Sequence, residues 1–468
     1  MEEFIAYPEL ADVKWGTASA AYQIEGAVGA DSRSPSIWDT FAARPGATFR
    51  GDTGKRACRA YRRPDRSLDA LSGLGAQVYR FSVSWSRILP SPGAAPNRVA
   101  LGYYRRLVEQ LLARGIEPII TLYHWDLPQW LQDRGGWTGA AAVEGFAHFS
   151  AVIAEALGDA VKRWVTVNEP YCAAFHGHLS GVHAPGHRDE GEALRAALML
   201  INGHAASAAE IRRVRRDAKV GIVLNLSDLE AASDNPEDAR AARHADLVEN
   251  RLFLDLVLRG RLPDDAAGYF GDRLTFVSDG LDISALRVPL DFIGLNYYEH
   301  NVVEAAPDGL DPVLRGARKL PVTGPSSANG VAIYPPGLSR TLLRLAEMEP
   351  ELPIWVTENG IGLADYIGPD GDCRDYERVN YLRDHIAALA RARSMGARLE
   401  GYLHWSLMDS FEWASGYQLR YGLFYTDYAT GELKPKASAA WYAAYIRGQR
   451  RLSGPRKGSW REKGADHG

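Results

Sequence analysis

Short apolar runs alternate with amphipathic stretches along nearly the whole chain. The runs read as β-strands and span Lys14 to Ser19, Val78 to Trp85, Pro118 to Trp125, Trp164 to Asn168, Val220 to Leu226, Asp291 to Tyr298, Ile354 to Glu358 and Gly401 to Trp405. Between them the apolar period lengthens. Tyr104, Leu107, Val108, Leu111 and Leu112 fall on one face at helical spacing, and Gly115 supplies a stop. Val379, Leu382, Ile386 and Leu389 do the same, with Asp375 placed to cap the start and Gly396 the end. Pro435 and Lys436 open a last helix through Trp441 and Tyr442. About eight strands separated by helices predict an α/β fold, a single (β/α)8 TIM barrel with its active site at the C-terminal face of the strands. An open doubly wound sheet alternates in the same way. However, no G-x-G-x-x-G follows the first run, and polar and aromatic residues end nearly every run instead of flanking one crevice. No repeat, linker or shift of composition divides the chain. One domain over residues 1–449 is expected, then a charged, Gly-rich, flexible tail at 450–468.

Composition narrows the function. The chain has 468 residues, of which 46% are hydrophobic and 24% charged, with a formal net charge of −4. That balance lacks the clustered basic charge of a nucleic-acid or membrane-surface protein. The start, Met1-Glu-Glu-Phe-Ile-Ala, has neither the basic nor the apolar part of a signal peptide, and no apolar run approaches the roughly 20 residues of a membrane span. Cys58, Cys172 and Cys373 cannot pair completely and show no C-x-x-C spacing, so a reduced, cytoplasmic protein is expected. The 12 Trp and 22 Tyr suit a large core, but also a sugar site, where C–H faces of a pyranose pack on aromatic rings.

Two glutamates end two of the runs, in Arg163-Trp-Val-Thr-Val-Asn-Glu-Pro170 and Pro353-Ile-Trp-Val-Thr-Glu-Asn-Gly360. In one parallel barrel Glu169 and Glu358 emerge at the same rim. Two carboxyl groups facing across a cleft are the minimum equipment for breaking a glycosidic bond. The other strand ends offer Gln23, Arg80, His124, Trp125, Asn168, Asn296, Tyr298, Trp405, Glu412 and Trp413. Amides, an imidazole, carboxylates and indoles at one mouth match a polyol substrate. Singly, each has a plainer reading: Glu169 as a surface carboxylate, His124 as a satisfied core histidine, Arg80 as a structural ion pair, Glu358-Asn-Gly as a hairpin turn.

Taken together, Thr166-Val-Asn-Glu-Pro170, Thr357-Glu-Asn-Gly360, His124-Trp-Asp126, Tyr79-Arg-Phe-Ser-Val-Ser-Trp85, Phe411-Glu-Trp413 and the opening Gly16-Thr-Ala-Ser-Ala-Ala-Tyr-Gln-Ile-Glu-Gly26 resemble glycoside hydrolase family 1 from about Trp15 to about Tyr442. The resemblance implies a retaining β-glucosidase with tolerance for fucosides or galactosides, working by double displacement. Glu358 matches the nucleophile and Glu169 the acid/base, a pair expected roughly 5–5.5 Å apart. Arg80, Tyr298 and Asn296 match supporting positions. Gln23, His124, Trp125, Asn168, Trp405, Glu412 and Trp413 match the substrate-binding set, with Cys172 and His183 as candidates for the leaving-group side. No cofactor and no metal are implied. His176, His178, His183 and His187 invite a zinc reading, but H-E-x-x-H is absent. The implied partner is a small β-glucoside; nucleic acid and membrane are not, and a homo-oligomer stays open. The chain departs from the family at Arg59 and Ala60, at Val331 and at Ser410, which leaves the outer rim and the supports of the site in doubt. Rival readings are a non-catalytic sugar-binding or scaffold protein, disfavoured by the intact carboxylates, and a 6-phospho-β-glycosidase, disfavoured because Glu412 would repel the phosphate.

Overall fold

The computed structural model describes residues 6–274, 280–309 and 311–453. All eight predicted runs are strands: β1 (Lys14–Ser19), β2 (Val78–Ser82), β3 (Glu117–Tyr123), β4 (Arg163–Asn168), β5 (Lys219–Asn225), β6 (Phe292–Asn296), β7 (Ile354–Asn359) and β8 (Leu399–Trp405). They pair in parallel and close into a barrel in the order β1-β8-β7-β6-β5-β4-β3-β2. A helix returns the chain after each strand: α1 (Pro64–Leu74), α2 (Arg98–Ala113), α3 (Ala140–Leu157), α4 (Glu190–Val214), α5 (Pro236–Asp246), α6 (Pro335–Met348), α7 (Tyr376–Ser394) and α8 (Ala437–Ser453). Residues 454–468, most of the predicted tail, lie outside the described residues.

Alternation along the strands builds two cores. Val165, Val223, Phe292, Trp355 and Leu403 fill the barrel interior, while their neighbours Trp164, Ile222, Ile293, Val356 and Tyr402 pack outward under the helices. The alternation breaks where it matters for the site. On β4 the register against β5 slips between Val165 and Asn168; on β7 the register against β6 slips between Val356 and Glu358. Strict alternation from Val165 and Trp355 would turn Asn168 and Glu358 outward. The extra residue reverses the phase, so both face the mouth while Asn359 turns out to Tyr381 and Tyr402.

Several predicted details change. The second run stops at Ser82 and enters a short helical turn at Trp85–Ile88, because the Trp85 indole stacks on Phe149 of α3, 5.1 Å between ring centroids. Asp375 does stand at the N-cap of α7, yet its carboxylate does not cap the helix; it accepts instead from Ser438 Oγ at 2.6 Å and from Arg378. Pro435 ends a hairpin strand (Glu432–Pro435) and Lys436 is buried between Asp365 and Asp409, so α8 begins only at Ala437. α3 has 18 residues of mean hydropathy 1.3, enough by length and composition to cross a membrane. Half of it is buried inside the protein, and Ser150 meets Ser207 of α4 at 2.7 Å, the packing of a core helix. A small sheet of Asp228–Ala231, His300–Ala305 and Ala317–Lys319 stands outside the barrel between the ends of β5 and β6 and α6, with no warning in the apolar pattern.

Candidate active site

Glu358 ends β7 in a buried, cationic setting. Arg80 reaches it from β2, with Nη1 2.6 Å from Oε1, and Tyr298 donates its hydroxyl to Oε2 at 2.8 Å. The guanidinium is itself pinned: Nε donates to Thr121 Oγ1 at 2.8 Å and Nη2 to Asn168 Oδ1 at 2.6 Å. Both partners are nearly fully buried, so the pair is desolvated and held by directed bonds on every side.

Glu169, one residue past β4, has a different environment. Asn296 Nδ2 donates to its Oε1 at 2.7 Å, and the Asn296 side chain is fixed by Thr357 Oγ1, which donates to its Oδ1 at 2.7 Å. The Cys172 thiol stands beside the carboxyl group and works against its upward shift. Among the described residues no cation touches it. Glu169 holds φ at +48°, the left-handed region that costs a non-glycine residue about 1–3 kcal/mol. Its backbone N–H, bonded to Val223 O at 2.9 Å, and the Asn296 clamp hold it there.

The two carboxyl groups therefore titrate apart. Burial first, and the negative charge of Glu358 second, push Glu169 up to about 8. Burial raises Glu358 as well, but Arg80 and Tyr298 pull it back. The pair binds its first proton on Glu169, because Arg80 and Tyr298 stabilise the charge on Glu358 and, among the described residues, no such groups bond Glu169.

Around this pair stands a wall suited to hydroxyl groups and a flat ring. Gln23 Nε2 donates to Phe411 O at 2.8 Å and to Glu412 Oε2 at 3.2 Å, and Ser410 Oγ donates to Glu412 Oε1 at 2.7 Å. Gln23 Oε1 and His124 Nδ1 are buried without a protein partner, while His124 Nε2 lies 3.3 Å from Asn168 Nδ2. Burial drives His124 far below the usual imidazole range, so it is neutral, and burial pushes Glu412 up to about 8. Trp405 lies nearly parallel to the His124 ring at 5.7 Å; Trp125 and Trp413 are 4.7 Å apart. Trp125 (φ +74°) and Trp413 (φ +54°) share the left-handed backbone of Glu169, so three site residues carry it. The Trp125 Nε1–H bond to Asn168 O at 2.9 Å ties one indole to the residue before Glu169.

Eleven of the fourteen sequence-predicted site residues line one cavity of about 320 Å³, among them Glu169, Glu358, Glu412, His124, Trp405, Cys172 and His183. Gln23, Arg80 and Asn168 stand behind it, bonded to Glu412, to Glu358 and to Arg80. His183 packs against Trp125 at 5.3 Å and Trp38 at 5.4 Å, as part of the aromatic wall. In the histidine loop, His178 and His187 both point Nδ1 at Glu192 Oε2, at 3.5 and 2.5 Å. The second separation is that of a hydrogen bond; ligands around one tetrahedral ion with about 2.0 Å bonds stand roughly 3.3 Å apart. The departures divide. Ser410 bonds Glu412 directly and Val331 lines the cavity, whereas Arg59 reaches only the backbone of Ala429. Sequence reasoning missed Thr121 and Thr357, which orient Arg80 and Asn296. Their inward phase on β3 and β7 was the available signal. It also missed Glu249, Glu299 and Lys319, cavity residues from separate segments that no motif joins.

Comparison with known proteins agrees with this architecture. Residues 6–450 match the model of glycosyl hydrolase family 1. A β-glucosidase A of Thermotoga maritima is 41% identical over 434 residues, covering 92% of this chain and 96% of that protein. A bifunctional β-D-glucosidase/β-D-fucosidase of Bifidobacterium breve is 40% identical over 451 residues, covering 92% and 96%. The solved structure of a Thermotoga maritima β-glucosidase in complex with glucoimidazole superposes with a TM-score of 0.90 at 39% identity, over 95% of this chain and 99% of that one.

Proposed function

Because the chain belongs to glycosyl hydrolase family 1, we propose that it is a retaining β-glucosidase in which Glu358 is the nucleophile and Glu169 the acid and base. It hydrolyses terminal β-D-glucosides. In the first step Glu358 attacks the anomeric carbon while Glu169 gives its proton to the glycosidic oxygen, and the leaving group departs as an alcohol. In the second step Glu169, now ionised, takes a proton from water, the water oxygen bonds to the anomeric carbon, and the ester to Glu358 breaks. Esterification removes the charge of Glu358, and with it one of the causes that kept Glu169 protonated, so the same carboxyl can change role between steps.

The observation that carries this reading is the unequal equipment of the two carboxyl groups. Glu358 is held by a guanidinium and a phenol, Glu169 by an amide and a thiol without a cation. A nucleophile must stay charged and an acid must start protonated; these surroundings favour that division. Gln23, His124, Asn168, Glu412 and Trp413 offer partners for the sugar hydroxyls, and Trp405 a face for the ring. Glu412 lies among neutral groups, Gln23 and Ser410, which favours a neutral sugar over a 6-phosphate. The Bifidobacterium relative's second activity supports tolerance for a fucoside. The three free, buried cysteines support a reducing, cytoplasmic setting.

The test is hydrolysis of an aryl β-D-glucoside followed by proton NMR. The first sugar released is expected to be β-glucose, which mutarotates later. Release of α-glucose first would exclude the covalent route through Glu358.

A further inference from the structure

The side of the cavity formed by the ends of β5 and β6 contains an ion triad that the reaction scheme does not use. Lys319, at the end of the small outer sheet, places Nζ 3.0 Å from Glu249 Oε1 and 3.4 Å from Glu299 Oε2. The three residues come from distant segments: the helical stretch after α5, the loop after β6 and the strand Ala317–Lys319. All three line the same cavity as Glu169 and Glu358. The glycone wall described above comes from the opposite arc, β8, β1, β2 and β3. A substrate with its sugar ring in that arc and its glycosidic oxygen at Glu169 extends its leaving group toward the triad.

We propose that the Glu249–Lys319–Glu299 triad selects the leaving group, accepting a neutral, hydroxyl-bearing one such as a second sugar and disfavouring an apolar or anionic one.

The chemistry of the groups supports that selection. An ammonium has three donors, of which the two carboxylates occupy two, and one stays available to the cavity. Burial pulls the Lys319 ammonium down, but Glu249 and Glu299 together outweigh burial and hold it charged. Glu299 is drawn below the usual carboxylate range by Lys319, so it is an acceptor. Beside them, Asn225 Oδ1 and His176 Nδ1 are buried without a protein partner and line the same cavity. This wall thus offers both donors and acceptors, which matches hydroxyl groups. An aryl leaving group would strip water from them and return no hydrogen bonds. Burial raises Glu249 and Lys319 pulls it back; where both carboxylates are ionised the triad carries one net negative charge and repels an anionic leaving group.

This inference rests on the glycosidase reading, and the test separates the two. If that reading fails, the wild-type enzyme cleaves neither cellobiose nor 4-nitrophenyl β-D-glucoside. If it holds, kcat/KM reports the first step, in which the leaving group is still present. Lys319→Met is expected to lower the ratio of kcat/KM for cellobiose to kcat/KM for the nitrophenyl substrate by about tenfold, the loss of one charged hydrogen bond. That variant leaves the buried Glu249 without its cation, so the double variant Glu249→Gln/Lys319→Met is measured beside it, in which only the partly exposed Glu299 loses its cation. A drop of more than about threefold in the double variant supports the proposal; a smaller change overturns it. For the charge rule, the wild type should cleave 4-carbamoylphenyl β-glucoside faster than the 4-carboxyphenyl one, and Glu299→Gln should narrow the gap. Preference for the carboxylate overturns that part.

Discussion

The two arcs of the barrel mouth solve the same physical problem differently. The arc from β8 through β1 to β3 commits the buried cation Arg80 to Glu358 and keeps its other polar groups neutral: His124 is held uncharged, Glu412 is raised to about 8, and Gln23 Oε1 has no partner among the described residues. The arc around β5 and β6 sets an ammonium between two carboxyl groups, Lys319 between Glu249 and Glu299, and Lys319 opposes the rise that burial imposes on Glu249. A buried polar atom without a partner is stable only when a ligand or water supplies one, so the first arc is complete only with a sugar in place. In the second the ions satisfy one another, and only Asn225 Oδ1 and His176 Nδ1 beside them await a partner among the described residues. Recognition of the sugar is thus expected to be steep, and recognition of the leaving group shallow. Glu358 and Glu169 stand between the arcs, one equipped with a cation and the other without.

The strongest challenge to that division is removal of Glu358. Glu358→Ala should lower kcat on an aryl glucoside on the order of 10⁵-fold while keeping a cooperative melt. Activity near wild type would take Glu358 out of the mechanism. Arg80→Met comes next, on the order of 10³-fold in kcat, because it leaves a buried carboxylate without its cation, with a stability loss of about 3–5 kcal/mol. It should also move the acid limb of the pH profile upward, since Glu358 then ionises at higher pH. An unmoved limb would mean that Arg80 does not hold Glu358 ionised.

Glu169→Gln should be selective. The loss is expected to be about 10²–10⁴-fold for a poor leaving group and far less for a dinitrophenol, which needs no proton. Equal losses across leaving groups would argue against the acid role. Wild-type kcat/KM should fall as pH rises through about 8, the value to which Glu169 is pushed, because the acid form is lost there. A rate still climbing at pH 9.5 would contradict it.

The smallest effect concerns Glu412. Its folded pKa of about 8 lies above the unfolded value of about 4.3, so the folded state binds the extra proton between those values and stability falls as pH rises across them. Glu412→Gln should therefore gain stability relative to wild type as pH rises from 5 to 9. A variant with no such gain would show that the neutral character assigned to the first arc is wrong.

The order of strands and the two carboxyl groups proposed to react were legible because both are local. A strand shows itself in four to seven apolar positions, and Asn-Glu-Pro or Thr-Glu-Asn-Gly names its residue directly. What the sequence did not show was partnership and the way the rim position is reached. Glu358 stands at the rim as expected, through a bulge against β6 that reverses the alternation running from Trp355. Trp85 has the indole of a site residue but stacks on Phe149 under α3, since the strand ends before it. Asp375 has the spacing of a capping residue, yet Ser438 and Arg378, brought in from other elements, compete for its carboxylate.

By itself the chain determined an eight-stranded parallel barrel, the carboxyl pair at residues 169 and 358, and the polyol character of the mouth, because apolar period and residue type act over a few neighbouring positions. The tertiary structure decided which of two chemically identical carboxyl groups holds the proton, since that depends on a guanidinium and a phenol from other strands. It also decided the triad, because attraction between Lys319, Glu249 and Glu299 depends on distance in space, which their spacing along the chain does not encode.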